Sequence, residues 1–184
     1  MNHAKANIAT AMKRFIGECR GVSAVEFALL LPMMMTLFLG SVETSQGIAT
    51  DRKVSLTAHA LADIATQYTG ITNADMSNIL NAGSAIIAPY AANELTEVIS
   101  ELSINAQGQA SVVWSDTLGG TARTAGQVVN IPSALAVPNS YLILAETQYS
   151  YAPTYGYVLT GTITLNEQSY MLPRQSTSIA RTAT

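Results

Sequence analysis

Cysteine, histidine and charge are all scarce in this chain. Among its 184 residues stand one cysteine, Cys19, and two histidines, His3 and His59. One cysteine cannot close a disulfide within the chain, and a zinc site of Cys and His ligands lacks donors. Cys19 also lies ahead of the long apolar run and follows Glu18. A lipid-bearing cysteine would follow such a run. Charged residues make up 11% of the chain, against about 25% in an average soluble domain. There is no basic stripe, so no nucleic-acid partner is expected. Gly119-Gly120 is not followed by Lys-Ser/Thr and has no GxGxxG spacing, which leaves no phosphate-cradling loop. Ser55, His59 and Asp63 recur every four residues. A catalytic triad needs the histidine between both partners, with oxyanion donors and a pocket besides. A solvated polar helix face explains the spacing without them. The expectation is a protein with no catalytic residues, no cofactor and no metal.

What the chain has is one apolar run beside a basic start. Lys5, Lys13, Arg14 and Arg20 oppose Glu18 before Gly21, a net of +3; five basic and eleven acidic residues follow, a net of −6. By the positive-inside rule the N-terminus stays in the cytoplasm and the bulk lies across the membrane. At 1.5 Å per residue the run 22–42 is about 30 Å long, the thickness of a bilayer's hydrocarbon core. Three readings compete. The run is an ordinary anchor, a cleaved signal peptide, or an anchor exposed by a cut before it. Leu39-Gly40-Ser41 fits a signal-peptidase site poorly. Glu26 is the one charged residue inside the run. A charge deep in a spanning helix costs roughly 2.5–3.5 kcal/mol on insertion scales. A cut after Gly21 would make Val22 the new amino terminus, with Glu26 one turn away. That ammonium, in the same chain or a neighbour, would be a counter-charge, and the helix N-terminus favours a carboxylate. The plainer alternative is a glutamate snorkelling at the interface.

The stretch "RGVSAVEFALLLPMMMTLFLG" carries a resemblance. A basic leader, Gly21, Glu26-Phe27 and an apolar run are similar to type IV prepilins. With Ala24-Val25-Glu26-Phe27-Ala28 and Pro32, the region resembles the TadE-like minor pseudopilins of tight-adherence (Flp) pilus systems. The segments "VVWS", "AETQYSYAP" and "YMLPRQS" are similar to longer TadE/TadG-type proteins. After the membrane helix the family often has an aromatic-rich stretch; here the chain reads Glu43-Thr44-Ser45-Gln46-Gly47. The resemblance implies cleavage after Gly21 by an aspartic prepilin peptidase, with Gly21, Val22, Glu26 and Phe27 as processing residues. It also implies an inner-membrane protein, other minor pseudopilins and the major Flp pilin as partners, and a role in building an adhesive pilus.

Beyond the run, Val54, Ala58, Leu61, Ala65 and Tyr68 form a helical stripe. One nearly continuous helix is expected from about Val22 to Tyr68, kinked at Pro32; the alternative is a membrane helix and a separate helix joined flexibly at Gly40-Ser41 or Gly47. Thr72 or Asn73 opens a short helix that Pro89 ends. From Glu97 the period changes. Val98, Leu102 and Ile104 alternate with Ile99, Glu101 and Ser103; Asn105–Gly108 turns the chain, and Ala110–Trp114 returns as a hairpin. "TLGGTARTAGQ" reads as a loop. In Tyr141–Tyr151, residues 141, 143, 145, 147, 149 and 151 share one strand face, and Val158–Leu165 and Tyr170–Arg174 are further strand candidates. The tyrosines at 141, 149, 151, 155, 157 and 170 suit strand faces better than a sugar-binding surface.

The expectation is α+β: a long N-terminal transmembrane and amphipathic helix, then a small pilin-like domain with an antiparallel sheet. Its parts are a leader at 1–21, a membrane helix at 22–42, a periplasmic continuation at 43–70 and a periplasmic domain at 71–184. The rival is an uncleaved single-pass anchor carrying a periplasmic binding module.

Overall fold

The computed structural model describes residues 20–153, 156 and 160–182. Nearly all of the basic leader, and Val158, Leu159, Tyr155 and Tyr157, lie outside them. The first element is one helix, α1, at Arg20–Thr66. Pro32 lies inside it without ending it. Proline removes one N–H from the ladder, and the Thr36 hydroxyl donates to the Pro32 carbonyl at 2.8 Å. The helix stops two residues short of Tyr68, where Gln67 and Tyr68 form a turn. Along α1 the surroundings change. Residues 21–38 are all exposed, whereas Val54, Ala58, Leu61, Ala62 and Ala65 are buried. The stripe read from the sequence is therefore the face on which the domain is built.

A second helix, α2 (Asn73–Ile87), lies beside α1. Its start is written in the chain. The Thr72 hydroxyl accepts from the Asp75 amide at 3.2 Å, and the Asp75 carboxylate accepts from the Thr72 amide at 3.0 Å. This reciprocal cap satisfies two amide donors at and just before the helix start. The Thr72 hydroxyl also donates to Asp75 and holds that carboxyl below its usual range. At the other end the Lys53 ammonium of α1 donates to the Ile86 carbonyl at 3.0 Å, where the helix dipole favours a cation.

The sheet has five strands. They are β2 (Leu95–Ile104), β3 (Ala110–Leu118), β4 (Val128–Val129), β5 (Ser140–Tyr151) and β6 (Ile163–Met171). Their order is β4-β3-β2-β5-β6, antiparallel throughout. The β2–β3 hairpin turns at Asn105–Gly108 as the sequence indicates, with the Asn105 side chain accepting from the Gln107 and Gln109 amides. Two short strands, β1 (Gly70–Ile71) and β7 (Ala180–Arg181), pair in parallel and tie the C-terminal segment to the start of α2. The class is α+β.

One strand expectation is corrected. A single strand, Ile163–Met171, replaces the two candidates at Val158–Leu165 and Tyr170–Arg174; Arg174 lies beyond it. On β2, where the sequence showed alternation without an inward side, the face turned to the helices carries Leu95, Glu97, Ile99 and Glu101. Leu102 and Ile104 join Val112, Leu142 and Leu144 in a second cluster on the opposite face. The register explains how both faces become apolar. Glu101 pairs with Trp114 and Leu102 with Val112, which leaves Val113 as a bulge. One extra residue lets Val112 and Trp114, two apart, face opposite sides of the sheet. Trp114 then reaches the inner core, where its indole N–H donates to the Ile179 carbonyl at 2.8 Å.

Candidate membrane anchor and processing site

Gly21 is the second residue of α1, and a Cβ added there would meet nothing within 4 Å. Its small size is thus not demanded by packing in this structure. Val22 and Phe27 are exposed by 58% and 59%, and Glu26 is exposed with them. Val22 and Glu26 stand four apart and so share a helix face, about 6 Å along the axis. From Gly21 onward this is the one helix among the described residues long and apolar enough to cross a membrane, with mean hydropathy 2.0 in its most apolar window. None of that window is covered by the rest of the chain. Large side chains such as Leu29, Leu30, Met33, Leu37 and Phe38 point outward. In water such a surface would be strongly unfavourable; in hydrocarbon it is the surface a spanning helix needs.

The anchor enters the domain at an acid. Glu43 is fully buried, and so are Glu97 and Glu101 on β2. Their surroundings differ. The Glu101 carboxylate accepts from the Ile179 amide at 2.6 Å. Burial raises its pKa, and the Ile179 amide and Trp114 indole oppose that rise. Glu97 has no such help: neither carboxylate oxygen has a hydrogen-bond partner. Gly83 of α2 lies directly over it, and a Cβ there would come within 1.6 Å of Glu97 Oε1. Burial pushes the Glu97 carboxyl up to about 7. The protonated form therefore fits this site best, under a helix that approaches closely because residue 83 has no side chain.

Ser55, His59 and Asp63 do not meet as a triad, yet their face is not simply solvated. His59 Nδ1 is hydrogen-bonded to the Ser169 hydroxyl of β6 at 2.9 Å, and Asp63 forms an ion pair with Arg174. These groups fasten α1 to the sheet and to the chain after it. Tyr149 and Tyr151 are buried, and Tyr141 and Tyr170 half-buried, as strand packing requires.

Three pairings escaped sequence reading because their members are far apart in the chain. The Arg123 guanidinium, in the loop after β3, donates to both Glu146 oxygens at 2.7 Å. Gln168 donates to the same carboxylate at 3.0 Å. Arg181 on β7 donates to both oxygens of Asp116 and to the Asn73 side chain. Asp63 with Arg174 is the third. A cleft of 790 Å³ opens around the Arg123–Glu146 pair, on the sheet face turned away from α1; Gln148, Asn166 and Gln168 line it. Among the described residues no group of His, Cys, Asp and Glu is arranged to hold a metal ion.

Residues 21–63 match the model of the family described as TadE-like protein. That span begins at the glycine singled out in the sequence and ends within the packed half of α1. Over that span the chain is similar to TadE-like proteins, as the motif indicated. No curated protein and no solved structure matches.

Proposed function

We propose that this chain is a minor pseudopilin, needed to assemble a tight-adherence (Flp) pilus used in surface adhesion. The carrying observation is the placing of Glu26. It sits one turn after Val22, exposed, on a TadE-like helix that runs unbroken into a folded domain. An aspartic prepilin peptidase cuts after Gly21 and leaves an ammonium on Val22. Glu26 then offers that ammonium, or a neighbouring subunit's, a counter-charge inside the membrane. The domain stands on the periplasmic side of the inner membrane and the leader remains cytoplasmic. The lipid-facing half of α1 joins helices of other minor pseudopilins and of the major Flp pilin.

The test combines mass and piliation. Protein extracted from membranes should begin at Val22, and Gly21→Lys should leave the full-length precursor. Glu26→Val should still insert, because the run only becomes more apolar, but surface pili should be lost. Normal piliation by Glu26→Val, with the mature form present and no wild-type copy, would sink the pairing mechanism.

The polar cleft at Arg123 and Glu146 favours a second reading, an uncleaved anchor bearing a periplasmic binding module. A chain that starts at Met1 in the membrane would support it against the first.

A further inference from the structure

The domain carries a second cleft, of 690 Å³, at the end nearest the apolar run. Gln46 of α1, Tyr90, Glu94, Tyr149 and Tyr151 are in its walls. Its height over a membrane follows from the helix. Gln46 is four residues past Val42, where the run ends, so it lies about 6 Å along the axis. A bilayer of roughly 40–45 Å with a ~30 Å hydrocarbon core leaves about 5–7 Å of headgroup layer on each side. Because α1 has no break between the two residues, the cleft opens at headgroup level.

The chemistry of the walls selects a cation. Tyr90 and Tyr149 meet edge to face, with centroids 6.4 Å apart and planes at 63°. The exposed Glu94 carboxylate stands near enough to help raise the Tyr149 pKa, after burial, the leading cause. No lysine or arginine lines the cleft among the described residues. Ring faces with a carboxylate beside them attract an ammonium group. The wall also holds an unpartnered donor: Tyr151 is 6% exposed, and its buried hydroxyl has no hydrogen-bond partner. That hydroxyl lies beneath the cleft's surface, near enough to Glu43 for the carboxylate to help raise its pKa after burial, the leading cause, so both ends of the cleft favour positive charge.

We propose that this cleft holds the ammonium headgroup of a zwitterionic phospholipid, with Tyr90, Tyr149 and Glu94 around the cation. The proposal rests on α1 crossing the membrane, and it stands whether or not the chain serves a pilus. The bound lipid would fix the domain's rotational setting on the membrane surface.

Full-length protein in nanodiscs of equal phosphatidylethanolamine and phosphatidylglycerol, released into a native mass spectrometer, reads the retained lipid directly. Wild type should keep phosphatidylethanolamine in preference. Glu94→Gln, a change at an exposed position, should cut that preference about two- to fivefold, and Tyr90→Leu likewise. Emission from buried Trp114 reports that each variant is folded. Equal retention of the two lipids by wild type, or a preference untouched by Glu94→Gln and Tyr90→Leu in folded protein, overturns the proposal. Displacement of the lipid by free ethanolamine overturns the lipid assignment in favour of a soluble amine.

Discussion

The two halves of α1 share one backbone ladder and differ in their surroundings: the domain covers one and leaves the other bare. Up to Phe38 the N-terminal half displays Leu, Met and Phe, all exposed by more than 40%. The C-terminal half buries Ala58, Ala62 and Ala65 with Thr50, Thr57 and Thr66, and only a few larger side chains among them. Size is what differs. Lipid fills around large side chains without cost, so a lipid-facing helix is free to carry them. A sheet has a fixed surface, and small side chains let the helix backbone approach it. The threonines bring polar groups into that contact, and these are satisfied locally. The Thr50 and Thr57 hydroxyls donate to the carbonyls one turn back, at 2.9 and 2.8 Å. From β5, Thr147 donates across to the Val54 carbonyl at 3.2 Å. Thus apolarity alone does not distinguish an anchor from a core helix; the size and satisfaction of its side chains do.

The largest expected effect separates the halves by the same deletion made in each. Leu61→Ala, in the core, should lower the domain's stability by about 2–5 kcal/mol, seen as a fall in its thermal midpoint in detergent. Leu30→Ala should leave that midpoint in place and weaken insertion by only a few tenths of a kcal/mol, about the value of a leucine on insertion scales. Equal losses would mean that the anchor half is also packed against the domain.

A smaller effect comes from the acid under α2. Folding holds a proton on Glu97 up to about pH 7, whereas the unfolded chain releases it near 4.5. Between these values the folded state binds more protons, so stability falls as pH rises. The contribution is fully present below pH 4.5 and lost by about pH 7. A rise of that size corresponds to about 3 kcal/mol. Denaturant titrations at pH 4.5, 6 and 8 should show this decline in wild type, and Glu97→Gln should flatten it. A slope that Glu97→Gln leaves unchanged would place the titrating group elsewhere.

The smallest effect tests how the two helices differ in what secures them. The packed part of α1 is continuous with its anchor, but α2 begins inside the domain and relies on its cap. Thr72→Ala should cost about 1 kcal/mol, with faster amide exchange confined to the first turn of α2. Protection lost along the whole of α2 would show the cap to be its nucleus.

Much of this architecture was legible because periodicity reports burial directly. The α1 stripe, the Thr72 cap, the 105–108 turn and the odd-numbered face of Tyr141–Tyr151 are local patterns, and each is where the pattern places it. The helix-facing side of β2 was not legible. Glu97 and Glu101 have the parity of Ile99, which could have marked them as inward, but carboxylates ordinarily argue for solvent. The bulge at Val113 and the β1–β7 pairing depend on partners far along the chain, and no short window contains them. At the candidate processing site, local order made Gly21, Glu26 and Phe27 recognisable as a motif. The Tyr90–Glu94–Tyr149–Tyr151 cleft has no such signature, because three separate elements supply its walls.

The absence of any joint in α1 has a mechanical consequence. A helix without a hinge transmits both thrust and torque, so the chain from Val22 to Thr66 behaves as a shaft. Drawing the domain along the axis by one turn, about 5.4 Å, carries Glu26 the same distance. Adding one residue between Val42 and Val54 would swing the sheet by about 100° about the helix axis relative to Glu26 and lift it by about 1.5 Å. The sheet and the Glu26 carboxylate are therefore geared together. Whatever turns or pulls one of them moves the other in step.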